Sequence, residues 1–229
     1  MNEIQRDISP IRAEEHAARP ISPRLYNLII AGLIFLGFCV MSLGVNIVST
    51  PAFLMWMSHN VLLYMLGSIV GTIAGIVLMS SAVKRQSVVR SLIGFALFIC
   101  TFGLMLSMVL MNYSLPTINT AFIATAGITA VFGALGLAFP QVFQRIAGVL
   151  SISLLALIVV QFVMMFLGVD QTWLDIAVIV VFCGFIGYDM YVATTVAPTV
   201  PNAVFMACNL FLDIVNVFIR LLNIVSDNR

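Results

Sequence analysis

Hydrophobic residues in this chain fill long unbroken runs. Five of these runs carry no charge: residues 28–48, 61–82, 91–111, 118–138 and 146–167. Each matches the roughly 20 residues that an α-helix needs to cross a hydrocarbon layer of about 30 Å. Two further stretches, 173–197 and 203–225, have the same length but hold ionisable residues near their middles. Such residues are costly in lipid and call for a reason. The connections are short and rich in turn residues: Ser49-Thr50-Pro51, Lys84-Arg85-Gln86, Asn112-Tyr113-Ser114-Leu115-Pro116, Phe139-Pro140-Gln141, Gly168-Val169-Asp170 and Pro198-Thr199-Val200-Pro201-Asn202. The pattern predicts an all-α integral membrane protein of seven transmembrane helices. The competing arrangement has one of the last two segments dip in and return, leaving six crossings.

Composition agrees with a membrane solvent. Of the 229 residues, 62% are hydrophobic and 8% are charged, against roughly 25% charged in a soluble domain. We expect a flexible cytoplasmic tail over 1–24 and a single membrane domain over 25–229. The tail carries seven charged residues between Glu3 and Arg19 together with Pro10, Pro20 and Pro23, and has no apolar core ahead of a small-residue cleavage site. His16 reads as a solvated side chain. A formal net charge of +1 and the lack of a basic, aromatic-interleaved patch argue against nucleic-acid binding. Cys39, Cys100, Cys183 and Cys208 show no C-x-x-C spacing and read as small hydrophobes packed between helices. No residue pattern calls for a cofactor or a structural metal.

Basic residues in short loops are retained on the cytoplasmic side. With seven crossings, Arg6, Arg12, Arg19, Arg24, Lys84, Arg85, Arg90 and Arg145 share one side, which leaves Arg220 and Arg229 near the carboxyl end. The amino terminus is therefore expected inside and the carboxyl terminus outside. Trp56, Tyr113 and Trp173 then fall near the outer boundary, where amphipathic rings are favoured. Short loops suit the inner membrane of a bacterium.

Asp189 and Asp213 stand in consecutive segments joined by a Pro-rich turn, each 12 residues from Pro201. They are expected to face each other at similar depth on antiparallel helices. Two neighbouring carboxylates in low dielectric do not readily both ionise, so the expected state is a pair that shares one proton and titrates as a unit. The last segment adds Asn209, Asn216, Arg220 and Asn223, which with Asp213 recur at spacings of three and four and so share one helix face. Lipid rejects a polar stripe, and this helix is expected to be central in the bundle, its stripe turned to partner helices or a water-filled path. Leu212 and Val215 are expected on the opposite face. Arg220 is placed to pair with an acid or to snorkel to the outer headgroups.

Other polar and small residues have plainer readings. Asp170 and Asp175 read as loop and helix-start residues, His59 as interfacial, and Gln161 as interhelical glue. Gly67, Gly71 and Gly75, like Gly133 and Gly136, read as sites of close helix approach.

Gly187-Tyr188-Asp189-Met190 and the stretch Asn209-Leu210-Phe211-Leu212-Asp213-Ile214-Val215-Asn216-Val217-Phe218-Ile219-Arg220-Leu221-Leu222-Asn223-Ile224 closely resemble the two hallmark stretches of the Bax inhibitor family, also called the transmembrane Bax inhibitor motif family. Thr125-Ala126-Gly127 through Phe132-Gly133-Ala134-Leu135-Gly136 looks like its fourth helix. The resemblance implies seven helices with the last surrounded by the other six, an aspartate pair acting as pH sensor, and pH-sensitive calcium leak. In eukaryotes it also implies protection from cell death. By motif position the sensor maps to Asp189 and Asp213. Met190 departs from the Thr of many members, and no Lys or Arg between 61 and 82 supplies the second-helix arginine that some members pair with a sensor aspartate.

Three functions are in view: a proton-gated cation path with calcium in transit, a non-conducting regulator that binds another membrane protein complex, and an intramembrane aspartyl protease. The protease reading is disfavoured because Leu210 and Leu212 stand where a G-x-G is expected before the second aspartate; no enzyme is expected. With the amino terminus inside, a reporter fused ahead of Met1 reads cytoplasmic and one fused after Arg229 reads external. Both reporting the cytoplasm would exclude seven crossings.

Overall fold

The computed structural model describes residues 19–167 and 172–227. His16, Asp170 and Arg229 lie outside the described residues. Among the described residues the secondary structure is helical throughout, in the order α1 (Pro23–Val48), α2 (Pro51–His59), α3 (Val61–Arg85), α4 (Val88–Leu110), α5 (Leu115–Ala138), α6 (Pro140–Leu167), α7 (Thr172–Thr195) and α8 (Val200–Asp227). All except α2 are long and apolar enough to cross a membrane, which makes seven spans. Neither α7 nor α8 turns back within its length.

The helix starts follow local chemistry. Ser22, Thr50 and Ser114 cap α1, α2 and α5 by accepting from the amides of Leu25, Phe53 and Thr117, each with a proline at the first or second helical position. There the missing proline N–H is no loss. Gln86 closes α3 with φ 49°, the left-handed conformation that satisfies terminal carbonyls.

The structure departs from the sequence pattern at two of these starts. Thr50 and Pro51 begin α2 directly after α1, where only a connection was expected. Val200 begins α8 three residues early, because Pro201 fits the first turn and does not interrupt it. Asp189 therefore lies six residues before the end of α7 and Asp213 thirteen after the start of α8, so equal spacing from a turn at Pro201 is not what brings them together.

The described residues form two compact units, one of those up to 109 with 197–208, the other of those from 110 to 196 with those from 209 onward. In the first, Gly75 lies so close to α4 that an added Cβ would fall 2.8 Å from the Gly94 carbonyl, and Gly71 is packed against Thr101; Gly67 has nothing within 4 Å. Ser107 donates to the Met41 carbonyl at 2.8 Å and so ties α4 to α1. The aromatic rings of Phe53, Trp56 and Tyr64 cluster where α2 meets α3, and His59 Nδ1 bonds the Met55 carbonyl of its own helix at 2.8 Å.

In the second unit α7 packs along both α5 and α6. A Cβ on Gly136 would strike the Gly187 carbonyl, one on Gly187 would strike the Phe143 ring, and one on Gly184 would meet Leu150. These glycines bring α7 close to its neighbours immediately before Asp189. Of the cysteines, Cys183 and Cys208 are buried as expected, whereas Cys100 is exposed.

The last helix is set apart by its burial. From Val200 to Val225 no residue is exposed, and 61% of its central apolar stretch is buried against 39% or less in every other span. A helix with a polar stripe needs such burial in lipid.

Gly75→Val, which forces a side chain into the Gly94 backbone, is expected to lower stability by about 1–3 kcal/mol, while Gly67→Val stays close to wild type. Thermal unfolding in detergent measures both; equal effects would remove the assigned close approach.

Candidate functional site

The polar stripe of α8 and its partners lie within the second unit. Asp213 is buried with 8% of its surface exposed, and Asp189 on α7 is half-buried. Their carboxyl groups lie close enough to share a hydrogen bond. A carboxylate offers acceptors and no donor, so this bond exists only when one of the two carries a proton. Asp213 Oδ2 is buried with no hydrogen-bond partner among the described residues. In a medium where an unpaired charge is expensive, it too is relieved by a proton or by a cation that enters the site.

The remaining stripe residues follow one line. Between Asn202 and Asn216 the partly accessible positions of α8 are Asn202, Phe205, Asn209, Leu212 and Asn216, three or four residues apart among buried neighbours; the line continues through Ile219, Arg220 and Asn223, where Leu221, Ile224 and Val225 are partly accessible too. Asn209, Asn216, Arg220 and Asn223 lie on this line and Asp213 beside it. Leu212 corrects the expectation of an opposite face: at 100° per residue it sits only about 60° from Asn209 and shares the line's partial access. Val215 is fully buried, as a residue on the far side should be. Asn216 Nδ2 donates to the Leu212 carbonyl one turn back at 2.8 Å.

About two turns beyond Asp213 the stripe ends in an ion pair. The Arg220 guanidinium donates to Asp175 Oδ1 at 2.6 Å and to Gln161 Oε1 at 2.9 Å. Asn223 Nδ2 donates to Asp175 Oδ2 at 3.2 Å, and its own Oδ1 accepts from the Tyr113 hydroxyl at 2.6 Å. Both ionic side chains are largely buried, with 15% exposed for Arg220 and 7% for Asp175. Four elements thus contribute: the link before α5, then α6, α7 and α8. Of the two fates open to Arg220, the structure shows pairing with an acid.

Sequence reasoning placed Asp175 correctly in a first helical turn but missed its partner, and it treated Gln161 and Tyr113 separately. One signal was available: an arginine within a span needs an acid at the same depth, and Asp175 is the acid nearest that end of α7.

A family model described as "Inhibitor of apoptosis-promoting Bax1" matches residues 21–229. The chain belongs to the Bax inhibitor family. Among similar proteins are Bax inhibitor 1 of Schizosaccharomyces pombe, 28% identical over 77% of this chain and 66% of that protein, and the inner membrane protein YbhL of Escherichia coli K12, 22% identical over 72% and 76%. A membrane protein of Streptococcus pyogenes serotype M3 is 26% identical over 67% and 70%. Within this family the chain is a multi-pass membrane protein. The hallmark stretches that carried the resemblance are the two in which Asp189 and Asp213 stand, and here those residues touch.

Tyr113→Phe leaves Asn223 Oδ1 without that donor and is expected to reduce stability by about 1 kcal/mol. The loss should be largely absent when Asn223 is already alanine. Additive losses in the double variant, read by thermal unfolding, would show that the two side chains do not act through each other.

Proposed function

We propose that this protein is a pH-sensitive cation leak pathway, with calcium as the ion in transit and Asp189 and Asp213 as its proton sensor. The observation that carries this reading is the carboxyl–carboxyl contact in a helix withdrawn from lipid. Taking the shared proton away adds one negative charge in low dielectric. A change of one charge there is large enough to bias a helix packing with two arrangements. Asn209, Asn216 and Arg220 support the path as a polar seam that continues from the pair. Calcium itself comes from the family resemblance. The ion takes about six to eight oxygen ligands, and among the described residues no cluster of three or more acidic, histidine or cysteine side chains could hold a metal. Transit suits these residues better than storage.

The reading places the protein in an inner membrane, amino terminus in the cytoplasm and carboxyl terminus outside. It is supported by the asymmetry of basic residues and by the name of the Escherichia coli relative. It requires no enzymatic step and no cofactor. The description of the matching family as an inhibitor favours a second reading, a non-conducting regulator that binds a membrane protein partner.

Replacing both aspartates by asparagine keeps size and hydrogen bonding while fixing the charge at zero. Asp189→Asn/Asp213→Asn is expected to insert and fold but to lose the change of calcium flux across the neutral pH range. Either single variant shifts or flattens the response, because the remaining carboxyl has lost its like-charged neighbour. Flux into proteoliposomes of purified protein decides the matter. An unchanged pH profile in a folded double variant places the sensor elsewhere, and absence of flux from the wild-type chain favours the regulator.

A further inference from the structure

The Arg220 cluster lies outside the proposed sensor yet on the same stripe. Seven residues separate Arg220 from Asp213, about 10.5 Å along the helix, with Asn216 between them on the same face. A buried ion pair is a poor source of net stability, since apolar residues of similar volume often do as well or better. Here five side chains from four elements satisfy each other around one guanidinium, at the point where the polar line reaches the end of the span opposite the Pro-rich turn.

The pair is also built so that it can part. Asp175 sits in the first turn of α7, where the helix amides stabilise a negative charge without help from an arginine. Arg220 is close enough to the end of α8 for its long stem to carry the charge out to the headgroups. Each partner thus has a second place of rest, and the two arrangements differ in what the stripe presents. With the pair closed the end of the stripe is neutral and filled. With Arg220 withdrawn, Asp175 is a bare carboxylate at the mouth.

We propose that Arg220 is a tethered plug that occupies the cation position of Asp175 and closes the polar stripe, and that its withdrawal uncovers Asp175 as the first binding group for an incoming metal cation. The proposal rests on the reading of the stripe as a cation path. It assigns Asp175 a binding role separate from the aspartate pair. Gln161, Asn223 and Tyr113 are positioning residues that hold the closed state.

Two measurements in proteoliposomes at fixed pH test it. Calcium flux through Arg220→Gln should exceed wild type severalfold, fall again in Asp175→Asn/Arg220→Gln, and return to wild type in the charge exchange Asp175→Arg/Arg220→Asp. In parallel, Asn216→Cys should resist a membrane-impermeant thiol reagent added from the carboxyl-terminal side and become reactive when Arg220→Gln is introduced, judged against the same chains without the new cysteine. Unchanged or reduced flux with a still-protected cysteine in folded Arg220→Gln overturns the plug. So does a charge exchange as leaky as Arg220→Gln. If Arg220→Gln does not fold, the charge exchange still decides: closed by both measurements supports the plug, and open contradicts it. If even the wild type carries no calcium, the proposed function fails, while thiol labelling continues to report whether Arg220 closes the stripe.

Discussion

Hydrocarbon solvates neither a charge nor an unpaired polar group, and nearly every feature of this protein answers to that constraint. Backbone groups are satisfied within helices. Most of the side chains that lipid would reject stand on α8, of which no residue from Val200 to Val225 is exposed, and Asp175 and Asp189 of α7 and Gln161 of α6 meet them there. The polar residues then have only each other as partners, and they divide into two groups. One is the carboxyl pair Asp189 and Asp213, which needs a proton to make its hydrogen bond. The other is the Arg220–Asp175 pair with its satisfying amides and hydroxyl, which is neutral as a whole.

Packing supplies the precision that the polar groups lack. Gly136 brings α5 against the backbone of α7 where a Cβ would strike the Gly187 carbonyl, Gly184 and Gly187 leave room for the Leu150 and Phe143 side chains of α6, and Asp189 follows two residues after Gly187. The position of Asp189 is thus set by three residues without chemistry of their own. The van der Waals origin of this fit suits a membrane, where no hydrophobic effect presses helices together.

Much of the fold was legible in the sequence because hydrocarbon imposes a single length on every span. The seven runs were visible, and the periodicity of Asn209, Asp213, Asn216, Arg220 and Asn223 identified α8 as the buried helix. Exact helix starts were less legible: Thr50-Pro51 and Val200-Pro201 read as turns when they are in fact helix beginnings, since proline serves both. Leu212 was assigned to the wrong side through a three-residue step that turns the helix only part of the way round. The ion pair was missed because its members come from different spans, and sequence spacing carries no record of which spans touch. The aspartate pair was legible for a reason specific to it: its two helices are consecutive.

What remains central is the proton between Asp189 and Asp213. Infrared difference spectroscopy of the purified protein in lipid resolves the carbonyl stretch of a protonated carboxyl group from that of a carboxylate. On titration through the neutral range the account predicts one protonated carboxyl that ionises with rising pH, shifts in deuterium oxide, and is absent from Asp189→Asn/Asp213→Asn. A pair with both carboxyls ionised throughout, or a signal that survives in the double variant, would contradict it.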